Sequence, residues 1–492
     1  MLLAAAAMAL NDRALAVAPA PIHALLVGGG PDKENNTAQI EEHLRFVTSL
    51  VPPSPGRIVL FADGKSSSRD LSYTDSVHLP PGQQALDVLL PNDGLGAKVL
   101  TRAPVLGAAL DGPSRLASID RAFHRLAILS GKTGPKVLLY FAGHGSLSDD
   151  SDDSDDKDKT SLYNLWAGED LDPATLVHGI EMLPARVPVV LVMAECFSGG
   201  FGDVLFKKGN AGLSLNDRLV TGFFASESDR EAAGCGTETN SPLYQDFSSY
   251  FFGALSGRDK LGHRVEGADF DGNGRVSCHD AWCYALLHDE SIDTPVCTSL
   301  VFLRHFTDVA DDTIFSSPWQ TVIQAATPAE RAALDGLSAK LGLDGDHRLL
   351  AAYDRLMFSD PIGRPEQLRA YRDAQDRLSA LRDSSLAALF SKWPALRWHD
   401  SHDYDRAVRG ATADLNKNLA QCQNLIQTRD AFDSADEALD EEEAMLVRFT
   451  DLAELVVRTT YLKDHGDSDT KAHFERLWQA EQEPLGITPQ AP

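Results

Sequence analysis

Lys136–Ser146 reads KVLLYFAGHGS, and Val187–Phe201 reads VPVVLVMAECFSGGF. Each is an apolar, β-branched run that stops at a small-residue turn carrying one reactive side chain. The first turn delivers His144 between Gly143 and Gly145; the second delivers Cys196, followed by Ser198, Gly199 and Gly200. Continuous apolar runs of this length predict strands buried on both faces, as in a parallel sheet. In open α/β sheets, sites form just past the carboxyl ends of such strands. The pattern therefore predicts an imidazole and a thiol side by side at neighbouring strand tips.

Those residue types suit acyl transfer. A thiol is the most nucleophilic neutral side chain, and an imidazole moves protons near neutral pH. The developing oxyanion needs donors, for which the backbone amides of Gly145 and Cys196 are placed. The bland alternative is an inert buried thiol and an unrelated histidine. Two such residues, each at a strand end and each followed by glycine, favour the catalytic reading.

Here the chain resembles a family. YFAGHGS followed by AECFSGG is similar to the His-Gly and Cys blocks of the caspase/legumain superfamily of cysteine peptidases, in its bacterial legumain-like and caspase-like branch. The order, His first and Cys about fifty residues later, fits the caspase spacing. IHALLVGGG, HLRFVTSLV and RIVLFADGK resemble the first strand, helix and second strand of the legumain-like branch. RLVTGFFASESDREAAGC resembles the strand after the nucleophile. The likeness runs from Ile22 to Phe306. It departs at one place: Ala194 stands two before Cys196, where legumains carry an acidic residue and metacaspases often an aspartate, and Glu195 directly precedes Cys196. That departure bears on specificity, not on the chemistry.

The whole chain has 492 residues, 43% hydrophobic and 24% charged, which predicts a globular protein of two or three domains. Its net charge of −27 argues against a nucleic-acid partner, because phosphate binding needs a basic surface. Six cysteines, Cys196, Cys235, Cys278, Cys283, Cys297 and Cys422, form no CxxC pair. They are too sparse for a disulfide scaffold, although one bridge among Cys235, Cys278, Cys283 and Cys297 stays open. Residues 1–20 read as a lead-in or remnant signal segment lacking a basic start. Cytoplasmic residence is expected, with export through a truncated signal as the alternative. No apolar run approaches the roughly 18 residues of a membrane span.

In chain order, Asn36–Val51 has helical spacing, Arg57–Ala62 is strand-like, and Ser66–Ala97 reads as a long polar loop. Ser114–Leu129 is a helix for which Ser114 fits the cap. Residues 146–161, SLSDDSDDSDDKDKTS, repel one another and bury nothing, so a solvated disordered loop is expected. Because it leaves directly from His144, it is also a candidate activation site for this or an upstream protease. Ser161–Trp166 and Leu219–Ala225 read as strands, and Pro173–Leu183 and Tyr244–Leu255 as helices. Strands alternating with helices predict a mostly parallel sheet with helices on both faces, an α/β and, by resemblance, caspase-like domain over residues 21–306.

ADFDGNGRVSCHDAW carries a second motif. Asp269, Asp271 and Asn273 fall at positions 1, 3 and 5 of a twelve-residue cation loop, Gly274 at 6, the Arg275 carbonyl at 7, Ser277 at 9 and Asp280 at 12. A structural Ca²⁺ is expected there, bound modestly because Asp280 replaces the usual glutamate. A rigid Asp/Asn/Gly turn is the metal-free alternative. Over residues 317–484 strand-like runs vanish and helical periodicity takes over, predicting a C-terminal helical domain.

The sequence thus leads to a cysteine endopeptidase acting on protein or peptide substrates through Cys196 and His144, needing no cofactor for the chemistry. Asp32, Ser226, Glu227 and Asp229 are candidates to line a specificity pocket for Arg or Lys, with Glu195 the weakest because strand alternation turns it from Cys196. The resemblance also implies an Asn-selective or transpeptidase alternative, and roles in proteolytic cascades including antiviral defence. A calcium-dependent binding protein with a vestigial site is the non-enzymatic alternative.

Overall fold

The computed structural model describes residues 22–74, 79–148, 159–237, 246–357 and 367–487. In chain order the strands are β1 (His23–Gly29), β2 (Arg57–Phe61), β3 (Leu71–Thr74), β4 (Val99–Arg102), β5 (Val137–Leu147), β6 (Ser161–Leu165), β7 (Glu169–Leu171), β8 (Val189–Ala194), β9 (Val220–Phe224) and β10 (Val296–Cys297). Eight of them form one sheet with the order β10-β9-β8-β5-β1-β2, extended from β5 by β6 and β7. The pairs β2–β1, β1–β5, β5–β8 and β8–β9 are parallel. The fold class expected from the sequence is the one found.

Strand β8 is buried at every position, as its unbroken apolar run requires. The helices around the sheet are α1 (Ala38–Leu50), α3 (Leu116–Ser130), α4 (Pro173–Met182), α5 (Phe247–Ser256), α6 (Cys278–His288) and α7 (Thr298–Phe306), while α2 (Pro81–Leu89) packs away from it. On one sheet face Tyr140 meets Phe252 of α5 edge-on at 5.2 Å and bonds Ser248. Gly28 leaves room on that face for Leu44 of α1. Phe141, one residue on, points the other way and meets Tyr163 at 5.2 Å. Short polar caps start the helices. Asp172 accepts from Thr175 N at 2.7 Å, Asp246 from Ser249 N at 2.9 Å, and Ser277 with Asp280 forms a reciprocal capping box.

Two expectations are corrected. Ser114 does not cap α3: Arg115 holds the cap position, and the free Leu116 amide donates to the Glu169 carboxylate at 2.8 Å. Ser66–Ala97 is not one long loop, because it contains β3 and α2. The α2 face of Ala85, Leu86 and Leu89 is buried against helices far away in sequence, a partner that local spacing does not announce. Residues 1–20 lie outside the described residues, as does most of the acidic loop. Its described ends continue β5 and β6, joined where Ser148 N donates to Thr160 O at 2.8 Å.

The C-terminal region comprises α8 (Asp311–Phe315), α9 (Trp319–Ala325), α10 (Pro328–Lys340), α11 (Arg348–Met357), α12 (Gln367–Lys392), α13 (Tyr404–Leu415), α14 (Leu419–His465) and α15 (Ser468–Glu481). Helix α14 has 47 residues. Its first half joins α2, α12 and α13 in a small separate core with Cys422 and Leu425. Its second half, through Leu446, Phe449, Leu452 and Val456, belongs to the main core shared with the sheet. Among the described residues no helix is long and apolar enough to cross a membrane.

Arg448 on α14 is the firmest polar tie between the halves. It is 1% exposed and donates to the carbonyls of Asp293, Asp289 and Ser291 at 2.6, 2.5 and 2.6 Å. Charged donors of this kind count for more than neutral ones, and removing one partner leaves buried carbonyls bare. Arg448→Met is expected to destabilise the chain by about 3 kcal/mol, measured as a lowered urea midpoint. An unchanged midpoint would show that the tie does not hold the two halves together.

Candidate active site

The β5–β8 register places Ala142 opposite Ala194. His144 stands two residues further along β5, on the sheet face covered by α1 and α5, and Cys196 follows two residues past the end of β8, in the turn that leaves it. Gly143 and Gly145 serve this junction. A Cβ at Gly143 would lie 2.7 Å from the Tyr163 hydroxyl, and one at Gly145 would collide with the Cys196 carbonyl oxygen. Only glycine lets the two strand tips approach this closely. The residue after Cys196, Phe197, takes a left-handed conformation with φ 60°. It makes the sharp exit from β8 that exposes Cys196, and Phe197 N donates to Arg230 O at 2.7 Å.

The imidazole is oriented from the loop after β1. His144 Nε2 lies 2.8 Å from the Asn35 carbonyl. A carbonyl only accepts, so Nε2 carries the hydrogen and Nδ1 keeps the lone pair. The Asp32 carboxylate accepts from the Asn35 amide at 2.9 Å and from its side chain, and Asn36 Nδ2 bonds Asp70 O at 2.9 Å. Nothing in the sequence pattern marked Asn35, because a backbone carbonyl can come from any residue.

The thiol is engaged elsewhere. Among the described residues no hydrogen bond joins Cys196 to His144. Ala232 N donates to Cys196 Sγ at 3.3 Å, and the thiol faces Ala232 O at 3.6 Å. The neighbouring Cys235 thiol, then burial, push the Cys196 thiol well above the ordinary range, with Glu231 adding to the effect, while the same interaction draws Cys235 down. Cys196 therefore holds its proton. All six cysteines are free.

The pocket candidates separate clearly. Ser226 is fully buried and bonded to Ser198 and the Glu195 carbonyl, so it shapes the turn and does not face a substrate. Glu227 is paired with Arg304 at 2.7 Å; burial opposes its ionisation, but Arg304 keeps the carboxyl below its usual range. Asp32 is taken up by Asn35. Glu195 is 1% exposed on the opposite face, with both carboxylate oxygens lacking a hydrogen-bond partner, and burial pushes its carboxyl far up. Of the four, Asp229 keeps a free carboxylate facing solvent. With Glu231 and with Asp440 and Glu443 of α14 it lines a cavity of about 420 Å³, in which Arg230 pairs with Glu443 at 3.0 Å. An adjoining cavity of about 560 Å³ shares Ile292 and Asp440 and adds Glu290, Glu437 and Glu441. The contribution of α14 to this acidic groove was not legible in the sequence.

In the Asp269–Asp280 loop, Asp269 accepts from the amides of Asn273 and Gly274 at 3.0 and 2.8 Å, and Asn273 Oδ1 accepts from Arg275 N. Gly274 turns at φ 83°, as the motif requires. Asp280 Oδ2 serves the capping box with Ser277, at 2.7 Å from its hydroxyl. Among the described residues no group of three or more His, Cys, Asp or Glu gathers to hold a metal. The donor set is all oxygen, which suits a hard cation in kind.

No protein-family model matches the chain, and no curated protein matches it. Among solved structures, the crystal structure of protein GSU0716 from Geobacter sulfurreducens is similar at 12% identity and a TM-score of 0.31, over 56% of this chain and 92% of that one.

The thiol arrangement makes a direct prediction. With substoichiometric iodoacetamide at pH 8, Cys235 is expected to be alkylated before Cys196, because their interaction raises the Cys196 thiol and lowers that of Cys235. Peptide mapping reads the order; faster labelling of Cys196 would contradict the arrangement.

Proposed function

We propose that this chain is a cysteine endopeptidase of the caspase/legumain kind, latent until activated, that cleaves after Arg or Lys. The observation that carries this reading is the close approach of the two adjacent parallel strand tips, where Gly145, next to His144, packs on the Cys196 carbonyl and the imidazole is held by Asn35. In the proposed mechanism the thiol gives its proton to His144 Nδ1 and the sulfur attacks the scissile carbonyl. The Asn35 carbonyl keeps Nε2–H in place and stabilises the imidazolium. The amides of Gly145 and Cys196 receive the oxyanion. His144 then protonates the leaving amine, and water releases the acyl group.

Latency follows from the neighbouring Cys235 thiol and the acidic surroundings, both of which hold the proton on Cys196. A basic substrate side chain beside Asp229 and Glu231 offsets those charges and favours the thiolate. Substrate preference and nucleophile activation are then one electrostatic effect. Cleavage within residues 146–161, by this chain or an upstream protease, would free the strand end that carries His144. The reading as a binding protein with a vestigial site draws on the missing thiol–imidazole bond. The Asp269–Asp280 loop is proposed to take a structural Ca²⁺.

A peptide-library cleavage profile tests the first proposal. Wild type is expected to cut after Arg and Lys, Cys196→Ala to be inactive, and His144→Ala to lose at least about a hundredfold. Asp229→Asn should lower kcat/KM for basic substrates by roughly ten- to a hundredfold. Absence of cleavage by both the intact and the loop-cut chain rejects the peptidase reading. Separately, millimolar calcium is expected to raise Tm, by about 1 °C per kcal/mol of binding. The double variant Asp269→Ala, Asp271→Ala should remove the rise, and a wild type indifferent to calcium rejects the cation.

A further inference from the structure

The two adjoining cavities of the acidic groove are not alike. The smaller one, beside Asp229 and Glu231, contains Arg230, whose charge is taken up by Glu443. The larger, of about 560 Å³, is lined by Glu290, Glu437, Asp440 and Glu441, and among the described residues its wall holds no Lys or Arg. That wall also includes two buried groups, His43 and Asp246, each at most 2% exposed. His43 Nδ1 lies 3.4 Å from Asp246 Oδ2. A carboxylate that accepts from Ser248 and Ser249, as Asp246 does, is an acceptor for the ring too, so Nδ1 carries the imidazole hydrogen. Burial holds His43 below its ordinary range against the pull of Asp246, and Lys260, which is not part of the wall, adds to the effect. The ring is therefore neutral and Nε2 keeps a lone pair. Among the described residues nothing donates to it. A buried acceptor without a donor costs free energy that a ligand N–H recovers.

An acceptor nitrogen among carboxylates, with no cation in the wall, fits a positively charged donor. A metal ion fits poorly, because among the described residues no three His, Cys, Asp or Glu gather to hold one. The carboxylates are spread out: Glu437, Asp440 and Glu441 repeat at i, i+3 and i+4 along one face of α14. They also crowd one another. Burial, then Glu290, push Glu441 up against Lys340 and Arg448, and burial, then Asp436 and Glu443, push Asp440 up. Ile292, 40% exposed, belongs to the walls of both cavities and offers apolar surface to the methylene stem of a lysine or arginine. One loop serves both cavities as well. Glu231 lines the smaller and Ala233 the larger, while Ala232 between them donates to the Cys196 sulfur at 3.3 Å. We propose that the larger cavity is a second cation seat, so that the groove takes a peptide segment with two basic side chains, one beside Asp229 and one between His43 and the α14 carboxylates. In that seat the ammonium or guanidinium donates to His43 Nε2 and pairs with Glu290, Glu437 or Glu441.

That such a peptide is a substrate rests on the peptidase reading; its binding does not. Binding is therefore measured on the full chain carrying Cys196→Ala, by fluorescence anisotropy at about 0.15 M salt, where surface charges are largely screened. The probes are fluorescein-labelled peptides of Gly, Ser and Ala with one lysine, or with two lysines adjacent or up to two residues apart. The best two-lysine peptide is expected to bind at least tenfold more tightly than the one-lysine peptide. Glu290→Gln, Glu437→Gln and Glu441→Gln together should abolish that advantage; these side chains are exposed or half-buried, so the fold is kept. His43→Leu, which removes the acceptor, should reduce it at least threefold. The control Asp373→Asn, Asp376→Asn, Asp383→Asn removes three exposed carboxylates of α12 and should leave it intact. Equal binding of the one- and two-lysine peptides overturns the proposal. So does an equal loss in the control, which would reveal only the general attraction of a net charge of −27. A two-lysine preference in a chain whose wild type cuts no peptide supports the seat and rejects the peptidase reading alone.

Discussion

The parallel pairing of β5 with β8 is the constraint on which the rest depends. Parallel strands end at the same edge of a sheet, so residues just past two neighbouring ends are brought together without any local sequence signal joining them. Ala142 opposite Ala194 sets the register, so the part of β5 that carries His144 and the turn that carries Cys196 lie at one edge of the sheet. A slip of one residue would turn His144 to the side of Glu195 and Tyr163. The register is protected by burial: both strands are enclosed on both faces up to the tips, and Gly143 and Gly145 fit the space left for them.

Around this junction the structure uses backbone more than side chains. The Asn35 carbonyl orients the imidazole, and the Ala232 amide and carbonyl clasp the sulfur. The carboxylates nearby have supporting tasks. Asp32 fixes Asn35, Asp293 fixes Ala233 and Phe247, and Glu227 binds Arg304. Arg304 also pairs with Asp451 and Glu454 of α14, and Arg448 grips the segment Asp289–Asp293. The loops that border Cys196 are therefore held from outside by a helix far along the chain. That helix also supplies Asp440 and Glu443 to the acidic groove.

The main parallel strands and several of the helices were legible in the sequence, while β3, β4, β7 and β10 were not. The legible ones are written in local periodicity or in a turn composition, and local patterns survive translation into local structure. The pocket was much less legible. Ser226, Glu227 and Asp32 have suitable chemistry, yet burial of Ser226, the Arg304 pairing of Glu227 and the Asn35 contact of Asp32 remove them from the cleft. Those facts are set by partners as distant as Arg304. Likewise α2 looked like polar loop, because its apolar face is covered only by helices some three hundred residues away.

The sequence by itself determined a mostly parallel α/β sheet, a helical C-terminal region, and a histidine and a cysteine at strand tips. It did so because alternation, apolar runs and glycine turns are properties of neighbouring residues. Only the tertiary structure decided that Asn35 holds the imidazole, that the Ala232 backbone holds the thiol, and that α14 completes the groove. Each of these depends on contact between segments far apart in the chain, where a carbonyl, an amide or a carboxylate acts through its place in space and leaves no mark in the order of residues.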